Sequence, residues 1–211
     1  MCPKPSFTLD LVSLPDWVEG EAPIINLLLA KAKGWVRFHY RKPGVSADLC
    51  LRELMQISPA LRKKVVLHGS LLQDLWLKTH GAKWGGVHWS LKMPRPTNFA
   101  VPLCEGVGIH SVAQALSLNF VPAYVWLSPI YESVSKPGYT PKWSIEQLPE
   151  VLFTLRQQWP QTKIIALGGV SVAQIAEVQR IGFDGAAVLG KLWQNPNPES
   201  YLLQLEDAIP T

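Results

Sequence analysis

The sequence predicts a compact, single-domain (β/α)8 barrel of the TIM type over residues 1–211. Three observations predict it. Short apolar runs alternate with helix-like stretches along the chain, the pattern of parallel strands joined by right-handed crossovers. There are eight such runs, whereas an open doubly wound sheet, the alternative, more often uses about five or six. At 211 residues, 47% of them hydrophobic, the chain can bury a sizeable core yet sits near the lower size limit of this fold.

Strand one reads FTLDLV, Phe7–Val12, with a helix over Ala22–Lys33. WVRFHY, Trp35–Tyr40, is strand two, followed by a helix over Ser46–Gln56. KVVLHG, Lys64–Gly69, is strand three, with a helix over Leu71–Thr79. GGVHW, Gly85–Trp89, is strand four. The next stretch, Ser90–Pro102, is proline-rich and cannot hold a regular helix, so a Pro-rich loop replaces the fourth helix. CEGVGIH, Cys104–His110, leads to a helix over Ser111–Leu118. AYVWLS, Ala123–Ser128, leads through a loop to a helix over Ser144–Gln158. KIIAL, Lys163–Leu167, precedes a helix over Val172–Ile181, and GAAVL, Gly185–Leu189, precedes a closing helix over Glu199–Asp207.

Composition narrows the function. The net charge is +4, but the basic residues are scattered and form no stripe with exposed aromatics, so no nucleic-acid partner is expected. The nine tryptophans fall mostly inside periodic segments and read as packing. The longest apolar run, Ile24–Ala30, is interrupted by Asn26 and is too short to span a bilayer. The start, MCPKPSFTLDLVSLP, lacks a signal-peptide apolar core, and Cys2, Cys50 and Cys104 show no pairing or metal-ligand spacing. A cytoplasmic location, a small-molecule phosphate partner and no membrane partner are expected. The sequence leaves room for a homo-oligomer.

In these barrels chemistry collects at the C-terminal ends of the strands. Four of the five histidines fall there: His39, His68, His88 and His110, with only His80 elsewhere. Each could simply hydrogen-bond a neighbour in a crowded mouth. A metal site is a second reading, since imidazole suits zinc, copper and iron. No strand end offers an Asp or Glu to support such a site, so no metal ligands are assigned. Acid–base catalysis is the third reading and is assigned to His110, which stands before a helix-capping Ser111. Alternation puts Arg37, His39 and Arg41 on one face of strand two, toward the barrel interior, which suggests an anionic ligand above them. Arg41 and Lys42 are candidate anion contacts, and Lys42 also reads as an ordinary solvated cation. The loop after strand six, Ser128–Pro141, offers Ser133, Ser135 and Lys136 to a phosphate. ALGGVS and VLGKLW end strands seven and eight. Their Gly168, Gly169, Leu189 and Gly190 supply backbone N–H groups where such barrels build a phosphate site.

Taken in order, these motifs resemble the thiamine phosphate synthase and thiazole tautomerase (TenI-like) family. IIALGGV and GFDGAAVLG resemble its strand-seven and strand-eight signatures, as do GGVHW, GVGIHS and YVWLSPIYESVSK at strands four to six. HYRKP is similar to its strand-two motif. The resemblance runs from about Trp35 to Trp193 and implies a thiazole phosphate held at the barrel mouth. It places phosphate contacts on Gly169, Leu189 and Gly190, and matches Arg41, Ser133, Ser135 and Lys136 to family binding residues. It matches His110 to the proton-moving base of tautomerases. Synthases use Mg2+, held by carboxylates after strands three and four; here His68-Gly69 and His88-Trp89-Ser90-Leu91-Lys92 stand in their place. Trp126 replaces a small residue in strand six, which should narrow the pocket. These departures favour a tautomerase, which requires no cofactor. The alternatives are a synthase, which requires Mg2+, and a non-catalytic binder of thiamine intermediates. His39, His68 and His88 are assigned to substrate binding beside Arg41 and Lys42. A generic phosphosugar isomerase would call for a glutamate base at a strand end, and none is present.

Overall fold

The computed structural model describes residues 7–33, 35–69, 83–92, 104–132 and 140–210. Eight parallel strands close into a barrel in sequence order. They are β1 (Thr8–Val12), β2 (Trp35–Tyr40), β3 (Val65–His68), β4 (Gly86–Trp89), β5 (Cys104–Ile109), β6 (Tyr124–Leu127), β7 (Lys163–Leu167) and β8 (Gly185–Val188). β1 pairs with both β2 and β8, which closes the ring. Every strand agrees with its sequence-predicted position to within about one residue at each end.

The helices follow the predicted order. They are α1 (Glu21–Lys31), α2 (Ala47–Met55), α3 (Val112–Leu116), α4 (Leu148–Gln158), α5 (Ile175–Ile181), α6 (Gly190–Gln194) and α7 (Pro198–Asp207). The short α6, directly after β8, was not anticipated by the sequence reading. Ser46 and Ser111 cap α2 and α3 by accepting the N–H groups of Leu49 and Gln114, as their hydroxyls and positions dictate. The helix expected over Leu71–Thr79, and the part of the Pro-rich loop beyond Lys92, lie outside the described residues.

The core has two compartments. Between strands and helices, residues such as Leu9, Phe38, Val65, Val125 and Ile164 pack against Leu28, Leu54 and Leu152. Inside the barrel, Val12, Tyr124, Trp126, Ile165 and Ala187 form a separate cluster. Rings this large fit the lumen because β5 gives way. A Cβ on Gly106 would fall within the ring of Tyr124. Gly106→Ala is therefore expected to destabilise the fold by at least about 1–3 kcal/mol, the usual cost of overpacking. Urea unfolding followed by tryptophan fluorescence checks this, and an unchanged midpoint would mean that Tyr124 has another place to go.

Candidate functional site

The strands deliver their inward residues to a lumen that is polar at its centre. Asp10, from the middle of β1, is fully buried. Its carboxylate accepts from Arg37 Nε at 2.8 Å, Arg37 Nη2 at 2.8 Å and Trp126 Nε1 at 2.7 Å. His39 Nε2 stands 3.2 Å from Asp10 Oδ2, but off the hydrogen-bonding line, which leaves that nitrogen without a well-aligned partner. Burial alone would raise the Asp10 carboxyl. The Arg37 guanidinium and His39 outweigh it and hold the carboxyl well below the usual carboxylate range. Arg37 is raised in turn: Asp10 beside it overrides its own burial. The anion that Arg37 meets on the inward face of β2 is therefore the protein's own Asp10, while Arg41 at the strand end lines the pocket. The sequence reading missed this residue. Its signal was an acid in the middle of an otherwise apolar strand.

Above Asp10 sit three histidines. His39, His68 and His88 are all buried. His39 Nδ1 lies 3.2 Å from His68 Nε2, the His68 and His88 rings stack at 4.5 Å, and His88 Nδ1 lies 3.1 Å from the Tyr124 hydroxyl. Burial, with the neighbouring positive groups, holds His68 and His88 well below the ordinary imidazole value, so both rings are neutral at pH 7. Burial also lowers His39, against the opposing pull of Asp10.

A pocket of about 710 Å³ opens over this floor at the C-terminal mouth. His68, His88 and Trp126 form part of its base. Trp126 lines the pocket and also donates to Asp10. His39, expected to bind substrate, lies below the pocket and does not line it. Lys42 departs further from expectation. It is fully buried, donates to the Asp16 carbonyl at 2.8 Å, and ion-pairs with the buried carboxylate of Glu21. Neither a substrate contact nor a solvated cation, Lys42 tethers the β2 end to α1 through an acid that the sequence reading did not single out. Arg41 does line the pocket, beside Lys92 and Lys191. Ser133, Ser135 and Lys136 lie outside the described residues.

His110 occupies the mouth beyond β5. Its Nδ1 lies 2.9 Å from the Ser128 carbonyl oxygen and 3.1 Å from the Ser128 hydroxyl. A proton on Nδ1, donated to that carbonyl, makes Nε2 the basic nitrogen. Its backbone N–H donates to Gln114 Oε1 at 2.6 Å, which ties the residue to the start of α3.

Gly168 and Gly169 follow β7 with φ of 98° and 68°, the left-handed region that favours glycine. The loop after β6 packs onto them: a Cβ on Gly169 would lie 2.7 Å from Tyr131 Cβ. The adjacent glycines are thus required by the backbone and by close loop packing. They also line the pocket together with Leu189 and Gly190 from the end of β8.

This is a closed parallel barrel whose C-terminal mouth, the end where barrels of this class carry their sites, combines glycine-bearing strand ends, cations and a positioned histidine. The chain belongs to the thiamine monophosphate synthase (TMP-TENI) family, whose model matches residues 16–192. It is 30% identical over 105 residues to the thiamine-phosphate synthase of Geobacillus kaustophilus, covering 49% of this chain and 46% of that protein. With the first relatives it matches, the chain thus aligns over about half of their length. A longer alignment, to the thiamine-phosphate synthase of Listeria innocua, is 26% identical over 202 residues and covers 91% of each. The fold is like that of a thiamine phosphate pyrophosphorylase from Bacteroides thetaiotaomicron. That structure gives a TM-score of 0.75 at 23% identity, over 96% of this chain and 97% of the other.

The family resemblance implies magnesium, and the described residues at the ends of β3 and β4 do not fit it. The ends of β3 and β4 present the imidazoles of His68 and His88, then Gly69, Trp89, Ser90 and Lys92. Among the described residues lining the pocket, Glu132 is the one carboxylate. Magnesium is a hard ion that wants oxygen ligands in octahedral geometry.

Proposed function

We propose that this chain is a synthase that binds a thiazole phosphate at the barrel mouth and joins it to a pyrimidine pyrophosphate; the relatives it matches are named thiamine-phosphate synthases. The observation that carries the reading is one pocket in which Arg41, Lys92 and Lys191 meet the glycine-bearing ends of β7 and β8. Two phosphorylated substrates bring several negative charges together. Cations in a partly enclosed site both attract that charge and hold it in place. Backbone N–H groups after β7 and β8 would hold the thiazole phosphate, while Arg41, Lys92 and Lys191 would face the pyrophosphate. This reading departs from the tautomerase expected from the sequence, because the relatives are named as synthases. The His110 geometry favours the tautomerase as a second reading: its basic Nε2 is oriented by Ser128 and suited to moving a proton on a bound ring.

The test supplies thiazole phosphate and pyrimidine pyrophosphate with and without Mg2+ and measures thiamine phosphate. Product is expected, with little dependence on added Mg2+ given the nitrogen donors at β3 and β4. Absence of product from protein that still binds thiazole phosphate would overturn the synthase reading. Proton exchange into the thiazole would then be measured for the tautomerase.

A further inference from the structure

We propose that His39, His68 and His88 form a three-histidine site for a divalent transition ion of the zinc class at the floor of the pocket. One ring nitrogen of each lies within 4.8 Å of the other two. Two imidazole nitrogens bound to one tetrahedral zinc, each at about 2.0–2.1 Å, stand about 3.3 Å apart. His39 Nδ1 and His68 Nε2 stand 3.2 Å apart. On the same bond lengths, three ring centres around one ion are separated by about 5 Å. The observed separations are 5.4, 5.7 and 4.5 Å. A hydrogen bond within the trio explains the His39–His68 contact alone. The third ring, stacked on His68 and held by Tyr124, also brings a nitrogen to within 4.8 Å of both.

The surroundings fit. Metal-binding histidines commonly give their other nitrogen to a carboxylate or another polar partner, which fixes ring and tautomer. Asp10 Oδ2 stands 3.2 Å from His39 Nε2 without a well-aligned hydrogen bond, and Nδ1 is the nitrogen turned toward His68. Tyr124 holds His88 Nδ1, leaving Nε2. That Nε2 faces Gly108 in the pocket wall, 3.6 Å from where a Cβ would lie. Neutral imidazole is the form that ligates. The carboxylate missing from the strand ends in the sequence is supplied by Asp10 from the middle of β1. An all-nitrogen donor set selects zinc, cobalt, nickel or copper over magnesium. Three protein ligands leave a fourth position. His68 and His88 form pocket wall, so water or an oxygen of the pocket's occupant completes the shell. None of this depends on which substrate the pocket takes.

The experiment strips the full chain with a chelator, dialyses it against Zn2+, Co2+ or Mg2+, removes free ion and measures bound metal per chain. One Zn2+ or Co2+ per chain is expected, with no retention of Mg2+. The cobalt form should show the intense visible bands of a four-coordinate site. His68→Gln and His88→Gln should each weaken Zn2+ binding by more than about 100-fold, beyond the range for losing an outer partner. Circular dichroism checks that both variants fold. If either does not, the wild-type stoichiometry and cobalt spectrum decide. Zinc uptake at background level, a weak octahedral cobalt spectrum, or equal uptake by the folded variants would each overturn the proposal.

Discussion

Asp10→Asn is expected to lower the unfolding free energy at pH 7 by about 3–5 kcal/mol, the usual cost of breaking a buried ion pair from one side. The substitution leaves the Arg37 guanidinium without its charge partner in the lumen and weakens the acceptor for Trp126 Nε1. The pH dependence gives a second readout. The folded Asp10 carboxyl lies far below its unfolded value of about 3.9. Its contribution is therefore complete above that value and is lost as pH falls through it toward the folded value. The buried histidines act in a higher window. Their folded values are lowered, so their contribution is complete above the unfolded value of about 6.5 and is lost as pH falls below it. Wild-type protein should thus lose stability in two stages on acidification. Asp10→Asn should keep the first and lack most of the second. Urea midpoints from pH 8 down to pH 3 measure both, and a variant as stable as wild type at pH 7 would show that Arg37 needs no counter-charge.

On the tautomerase reading, His110→Asn is expected to lower kcat for proton exchange into the thiazole by about 10²–10⁴-fold, the range for losing a positioned proton-transfer group. Thiazole phosphate affinity should stay within about twofold, because the proposed contacts to that phosphate are the backbone N–H groups at the β7 and β8 ends. Asparagine can still donate to the Ser128 carbonyl while offering no basic nitrogen. Turnover by stopped assay and affinity by calorimetry separate the two effects. Unchanged turnover would remove His110 from the mechanism, and a parallel loss of affinity would make it a binding residue. The contrast with Gly169→Val is instructive. A valine there would collide with Tyr131 and would also force a side chain into left-handed backbone. Lost binding in that variant would report loop displacement as much as phosphate contact.

Much of the architecture was legible in the sequence, and the reasons are local. Alternating runs set the strands. Ser46 and Ser111 mark helix starts because their hydroxyls can accept the N–H groups left over there. Paired glycines mark the backbone that must turn with positive φ after β7. The histidines and glycines fall at one end of the barrel because every strand runs the same way, so each C-terminus reaches one rim. Arg41, His68, His88, His110, Gly168, Gly169, Leu189 and Gly190, singled out in the sequence, all line the one pocket described at that rim.

Lys42 and His39 show where the sequence reading fails. Alternation assigns a residue to a face, but not the partner it meets there. Lys42 reads from the chain as a cation at a strand end; only the packing of α1 against that end brings Glu21 to it and removes both from water. Asp10 and Trp126 are 116 positions apart and meet because the barrel closes. Register then decides which inward residues are level: Asp10 with Arg37, Val12 with His39, and His68 with His88. The sequence by itself determined the strands, their order and the rim on which the polar residues gather, because those follow from periodicity and parallel direction. Tertiary structure alone decided which of those residues became a buried ion pair, which became pocket wall, and which three imidazoles converge, because ring closure and strand stagger are properties of the whole sheet.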